Sequence, residues 1–169
     1  MRLLSALWLL TCLPAAVPGT GGASAATIAS RSATIDGAVL HYTTAGRGAP
    51  LILLHGYAET SRMWRPIIPA LAERFTVIAP DLPGIGDSGI PDGGLDMKSA
   101  ATRIHALARS LGIERARVVG HDIGLMVAYA YAAEFPAEVE KLVVMDAFLP
   151  GVAGALARRK RVPREPITQ

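Results

Sequence analysis

Arg117-Val118-Val119-Gly120-His121-Asp122-Ile123-Gly124 decides how this chain is read. A short β-branched run suited to a strand passes into Gly-x-Asp-x-Gly, and a helical pattern of small and apolar residues follows at once. Glycines on both sides of the aspartate fit a turn so tight that flanking Cβ atoms would strike neighbouring backbone. Strand, sharp turn and helix in that order form a nucleophile elbow, here with a carboxylate where serine is more usual. On this reading Asp122 is presented at the apex of the turn to attack a substrate carbon directly.

Working outward, the same strand–loop–helix grammar repeats. Leu51-Ile52-Leu53-Leu54 is a continuous apolar run of the kind found in strands covered on both faces, and it ends in His55-Gly56-Tyr57-Ala58-Glu59-Thr60. Met63, Trp64, Ile67, Ile68 and Leu71 then suggest a helix, whose regular part Pro66 and Pro69 confine to the later residues. Phe75 to Ala79 predicts a second buried strand, closed by Pro80-Asp81-Leu82-Pro83-Gly84-Ile85-Gly86-Asp87-Ser88-Gly89. Asp96 suits the N-cap of a helix carrying Met97, Ala101, Ile104, Ala108 and Leu111 at helical spacing, with Gly112 at its end. After the elbow helix stops at Pro136, Val139 to Met145 reads as a further buried strand leading to Asp146. Near the start, Ser32–Ile35 and Val39–Thr43 flank Asp36-Gly37, a strong hairpin signal. Strands alternating with helices predict an α/β fold: a mostly parallel sheet with helices on both faces.

Composition narrows the function classes. The chain has 169 residues, 51% of them hydrophobic and 18% charged, as expected for one globular domain. Its formal charge of +3 is concentrated in Arg158, Arg159, Lys160, Arg161 and Arg164, so everything before them is near neutral. That tail has no aromatic residue to stack on a base, and no nucleic-acid partner is expected. Arg2, the apolar run Leu3–Leu13 and Ala23-Ser24-Ala25 describe a secretory signal peptide over residues 1–25. The run is shorter than the ~20 residues of a membrane span, so a stable membrane anchor is not expected and the location is secreted or periplasmic. The single cysteine, Cys12, lies inside this leader, so the mature chain would hold neither a disulfide nor a thiolate metal site. Residues 26–151 would be the folded core and 152–169 a basic tail disordered in isolation. No cofactor and no metal are expected, and no residue pattern sets an oligomeric state.

The His55-Gly56 turn, the Asp81-Leu82-Pro83-Gly84-Ile85-Gly86-Asp87-Ser88 loop and the Gly120-His121-Asp122-Ile123-Gly124 elbow, in this order, resemble the α/β-hydrolase fold. An aspartate at the elbow is similar to the epoxide hydrolases and the haloalkane or fluoroacetate dehalogenases, and most like secreted, Cif-like epoxide hydrolases. The resemblance implies a small-molecule substrate, an epoxide or a halogenated organic compound. It also implies covalent catalysis in which Asp122 forms an ester that a His-activated water hydrolyses. The backbone N–H groups of Tyr57 and Ile123 would form the oxyanion hole, and Asp146, at the end of the strand after the elbow helix, would be the acid that orients the histidine. In the family that histidine follows a cap domain and two more strands, so the chain is expected to stop short of cap and base and to be incomplete for turnover. The resemblance covers the N-terminal half of the fold, roughly Thr34 to Gly151.

Two alternatives stand beside the epoxide hydrolase reading. A dehalogenase would use the same Asp122, but haloalkane members carry Asn after His-Gly and Trp after the nucleophile, where this chain has Tyr57 and Ile123. The other alternative is a non-catalytic fragment acting only by binding. Asp81 and Asp87 are expected to brace their glycine-rich loop, Trp64 to pack and Tyr57 to line the core edge. The side chain of His121 is expected to point away from that of Asp122.

Overall fold

A computed structural model of the chain describes residues 27–147. It contains six strands, β1 (Ala29–Ile35), β2 (Ala38–Ala45), β3 (Ala49–Leu54), β4 (Phe75–Pro80), β5 (Ala116–His121) and β6 (Val139–Met145). Its α-helices are α1 (Ile68–Ala72), α2 (Met97–Ser110) and α3 (Ile123–Glu134), with short 3-10 turns at Ser61–Trp64 and Pro136–Glu138. The proposed leader and basic tail lie outside the described residues. No helix among those described is long and apolar enough to cross a membrane.

The strands form one sheet in the order β1-β2-β4-β3-β5-β6. β1 and β2 are antiparallel to each other, β2 is antiparallel to β4, and β4, β3, β5 and β6 are mutually parallel neighbours. The hairpin between β1 and β2 closes at Asp36-Gly37, both at positive φ (47° and 78°), the combination a two-residue type I′ connection requires. Both hairpin strands run longer than their sequence pattern suggested: Ala29, Ser30 and Arg31 pair with Thr44, Thr43 and Tyr42, Ala38 pairs with Ile35, and Ala45 pairs with Val77 of β4.

Side-chain alternation along the central strands divides the core into two layers. Ile52, Leu54, Ile78 and Val118 face α2 and α3, where they join Ala101, Ile104, Leu107, Ala108, Val127 and Tyr131. Leu51, Leu53, Val77 and Ala79 face the other way and pack with Trp64, Ile68 and Ala72. Trp64 is thus a packing residue, and the two prolines leave α1 only five residues long. Asp96 caps α2 through bonds from the N–H groups of Lys98 and Ser99, and Gly112 lies beyond its end at φ 74°.

β6 is more open than its composition alone suggests. Its apolar run suggested a strand covered on both faces, yet Leu142, Val143, Val144 and Met145 are 36% to 46% exposed. Among the described residues β6 is the outer strand of the sheet, paired on one side by β5 alone. An apolar run therefore reports strand type here and not burial.

The contrast between centre and edge is measurable. Ile52→Ala, in the centre of the sheet, is expected to cost about 2–5 kcal/mol in urea unfolding. Val144→Ala on β6 is expected to remain within about 1 kcal/mol of the parent.

Candidate active site

The parallel register brings three strand ends to one place. Leu54 pairs with Gly120, Gly120 with Val144, and His121 with Met145. The residues that follow β3, β5 and β6 (His55-Gly56-Tyr57, Asp122 and Asp146) therefore emerge together at the carboxyl edge of the sheet, where open α/β sheets place their sites.

The elbow is as tight as its glycines implied. A Cβ on Gly120 would overlap the carbonyl of Gly124, and one on Gly124 would come within 2.5 Å of the carbonyl oxygens of Leu54 and His55. β5, α3 and β3 approach each other through those two missing side chains. Asp122 itself sits at φ 50°, ψ −120°, a conformation side chains other than glycine rarely adopt. Its N–H donates to the carbonyl of Met145 (3.0 Å) and its C=O accepts from Leu125 (2.9 Å), so both neighbouring elements hold the strained residue in place.

Asp122 is the N-cap residue of α3, but its carboxylate makes no capping bond. Instead Oδ2 accepts the backbone N–H of Tyr57 at 3.0 Å. The N-terminal end of a helix carries partial positive charge, and Ile123 is the first residue of α3. The carboxylate is held at the strand ends by one backbone N–H from the loop after β3 and not by a capping bond to its own helix. Tyr57 contributes its backbone while its side chain is 76% exposed, so it does not line the core edge.

His55 shapes the loop from below. It is fully buried; Nε2 accepts the N–H of Leu82 (2.9 Å) and Nδ1 lies 2.9 Å from the carbonyl of Gly56. Since Nε2 must present its lone pair, Nδ1 carries the proton and donates to Gly56. Burial, only partly opposed by the Gly56 bond and the charges of Asp81 and Glu59, pushes the pKa of His55 down from its ordinary 6.5.

Glu59 and the outward side of His121 were not legible as site features. Glu59 Oε2 accepts the N–H of Gly56 at 3.1 Å and lies 3.3 Å from Nδ1 of His121. Nε2 of His121 lies 3.4 Å from Oδ2 of Asp146. The imidazole next to Asp122 thus stands between two carboxylates, although Nδ1 closes no hydrogen bond and is shielded from solvent. A Cβ on Gly56 would meet Glu59 Oε2 at 2.7 Å and His121 Nδ1 at 2.8 Å, so a third glycine of the site is also fixed by close approach. The one signal in the sequence was position: a carboxylate three residues after Gly56 can turn back to its N–H. Asp146, at φ 61° with its side chain 82% exposed, is within reach of His121 but in open solvent. Among the described residues no histidine hydrogen-bonds Asp122.

The glycine-rich loop after β4 is braced as expected, but by one aspartate and not two. Asp81 accepts the N–H groups of Ser61 and Asp87, while the Asp87 carboxylate is exposed, 3.6 Å from Arg62. A cavity of about 410 Å³ lies elsewhere, at the starts of β3 and β4, lined in part by Arg31, Tyr42, Thr76 and Leu111. It contains none of the groups gathered at the elbow, and the chemistry points to the elbow.

Two measurements follow from this geometry. Asp122→Gly relieves the strained φ and is expected to be more stable than Asp122→Ala by about 1–3 kcal/mol in chemical denaturation. For His55, the unfolded chain takes up a proton below pH 6.5 that the fold resists. Unfolding free energy should therefore fall as pH drops from 7.5 through 6.5 toward the lowered folded value, and the His55→Gln chain should lack that slope.

The comparisons with known proteins agree with the fold. A soluble epoxide hydrolase from Corynebacterium sp. (strain C12) is 46% identical over 128 residues, covering 76% of this chain and 44% of that protein. A fluoroacetate dehalogenase from Burkholderia sp is 35% identical over 121 residues, 69% of this chain and 40% of that one. The solved structure of epoxide hydrolase CorEH without ligand superposes with a TM-score of 0.68 at 42% identity, covering 78% of this chain and 50% of that chain. The chain thus spans about half the length of the relatives it matches, or less. A family model described as alpha/beta hydrolase fold matches residues 49–166, and with β3, β5 and the elbow in their expected order the chain belongs to the α/β-hydrolase fold family.

Proposed function

We propose that this chain carries the nucleophilic half of an epoxide hydrolase-type site, with Asp122 forming an aspartyl ester. The observation that carries the reading is the placement of Asp122: strained at the apex of the elbow, uncapped, and facing the N–H of Tyr57 at 3.0 Å. Its carboxylate oxygen attacks a ring carbon of the epoxide, an O–C bond forms, the ring C–O bond breaks, and the oxygen released takes a proton from solvent or a nearby acid. Hydrolysis of the ester puts charge on the former carboxylate oxygen. The N–H groups of Tyr57 and Ile123 are the donors assigned to it, since such donors act best when already aimed at the developing charge.

Asp146 is assigned as the acid that orients a general base. It stands at the end of β6 on the same edge of the sheet, and its carboxylate reaches the elbow through His121. Tyr57 and Ile123, in place of the Asn and Trp of haloalkane enzymes, favour epoxide over halide. The epoxide hydrolase relative is also the more similar of the two described above. Residues 1–25 are proposed as a cleaved leader, placing the protein outside the cytoplasm.

Incubating the purified chain with a terminal epoxide is expected to add the mass of one epoxide to Asp122, located by peptide mapping, and Asp122→Asn should abolish the adduct. A matched halogenated acid should react more slowly. Faster ester formation with halide release would favour the dehalogenase, and an unmodified Asp122 in both reactions would leave a binding protein.

A further inference from the structure

We propose that Ser30 is a second activated nucleophile, separate from the elbow, which takes an acyl group from an activated ester or thioester. Its Oγ lies 2.6 Å from Nε2 of His41, whose Nδ1 lies 3.0 Å from Oδ2 of Asp81. The three side chains come from β1, β2 and the loop after β4. The hairpin register pairs Ser32 with His41 and Ser30 with Thr43, so Ser30 meets the imidazole along the diagonal of one face, within the range of cross-strand neighbours.

The order of burial matches the order of roles. Asp81 is 2% exposed and His41 8%, while Ser30 is open to solvent. Asp81 cannot swing away, because the N–H of Ser61 holds Oδ1 at 2.7 Å and the N–H of Asp87 holds Oδ2 at 3.0 Å. Ser88 accepts the backbone N–H of His41 at 3.0 Å and donates to the carbonyl of Asp81 at 2.8 Å, fastening strand to loop. Burial works against the charge of Asp81, but the bonds from Asp87, Ser61 and His41 outweigh it and hold its carboxyl below the usual 3.8. Facing a carboxylate, Nδ1 of His41 is the protonated nitrogen. In the neutral imidazole Nε2 is then left with its lone pair toward the Ser30 hydroxyl, the relationship that activates serine in Ser-His-Asp triads.

The reaction balances without any further reagent. Oγ attacks the acyl carbon as its proton passes to Nε2. The Oγ–C bond forms, the bond from acyl carbon to leaving oxygen or sulfur breaks, and the departing group takes the proton from Nε2. The products are an ester on Ser30 and a free alcohol or thiol. General-base assistance of this kind is typically worth roughly 10²–10⁴-fold. A comparison is built into the same strand, because Ser32 is also open to solvent and makes no hydrogen bond to histidine among the described residues.

The test is acylation of the full chain by p-nitrophenyl acetate, followed by intact mass and peptide mapping. Ser30 is expected to be acetylated at least ~10-fold faster than Ser32, with release of one equivalent of p-nitrophenolate that Ser30→Ala abolishes. His41→Gln should slow labelling of Ser30 by a similar factor with the far-ultraviolet circular dichroism unchanged. If that variant does not fold, the ratio of Ser30 to Ser32 labelling within the parent chain decides alone. The Asp122→Ala chain should label at Ser30 at the parent rate. Equal labelling of Ser30 and Ser32, or loss of Ser30 labelling on removing the Asp122 carboxylate, would overturn the proposal.

Discussion

Everything at the carboxyl edge of the sheet depends on one steric constraint, the contact of the elbow with β3 through Gly120 and Gly124. With no side chain at either position, the start of α3 rests against the carbonyls of Leu54 and His55. That contact fixes how far the apex of the turn stands above the strand ends, and it forces Asp122 into a positive φ. Such strain persists only where surrounding structure determines the backbone completely. Here the bond to Met145 on β6 and the side-chain bond from the N–H of Tyr57 after β3 do so from opposite sides. Three strands contribute to one residue's conformation, so the geometry of the site is a property of the sheet more than of the loop.

Electrostatics follow the same arrangement. The buried imidazole of His55, neutral because of its surroundings, hydrogen-bonds the loop that supplies the Tyr57 N–H. Above it the imidazole of His121 lies between the carboxylates of Glu59 and Asp146 along the rim, with spacings of 3.3 and 3.4 Å. Neutral polar groups lie inside and carboxylates lie at the surface, as expected when an ion without a close partner is costly to bury. Asp81 is the exception, and four donors or potential donors around it show what a buried carboxylate needs.

What the sequence made legible was local. The hairpin at Asp36-Gly37, the cap at Asp96, the stop at Gly112 and the elbow glycines each express a rule about a few consecutive residues, and each has a counterpart in the structure. The alternation of strands and helices was enough for the sheet and its parallel centre. Contacts that depend on distant pairs were harder to read. The bond between Tyr57 and Asp122 spans 65 positions, and only the family resemblance drew attention to the Tyr57 N–H at all. The pairing of Glu59 with His121 and the diagonal from Ser30 to His41 leave no periodic trace. The exposure of β6 is not written in its composition: Leu142-Val143-Val144-Met145 reads as an inner strand, and composition does not record which neighbours are present.

That outer strand has a consequence for how the sheet is built. β1 ends the other side of the sheet as part of a twisted antiparallel hairpin, whereas β6 continues the parallel register set by β3 and β5. Among the described residues no strand pairs with the outer side of β6, and an unpaired row of N–H and C=O groups is a template on which another strand can add. The register is therefore shared across the sheet: the alignment of β3 with β5 continues into β6, and through it Asp146 comes to lie beside His121.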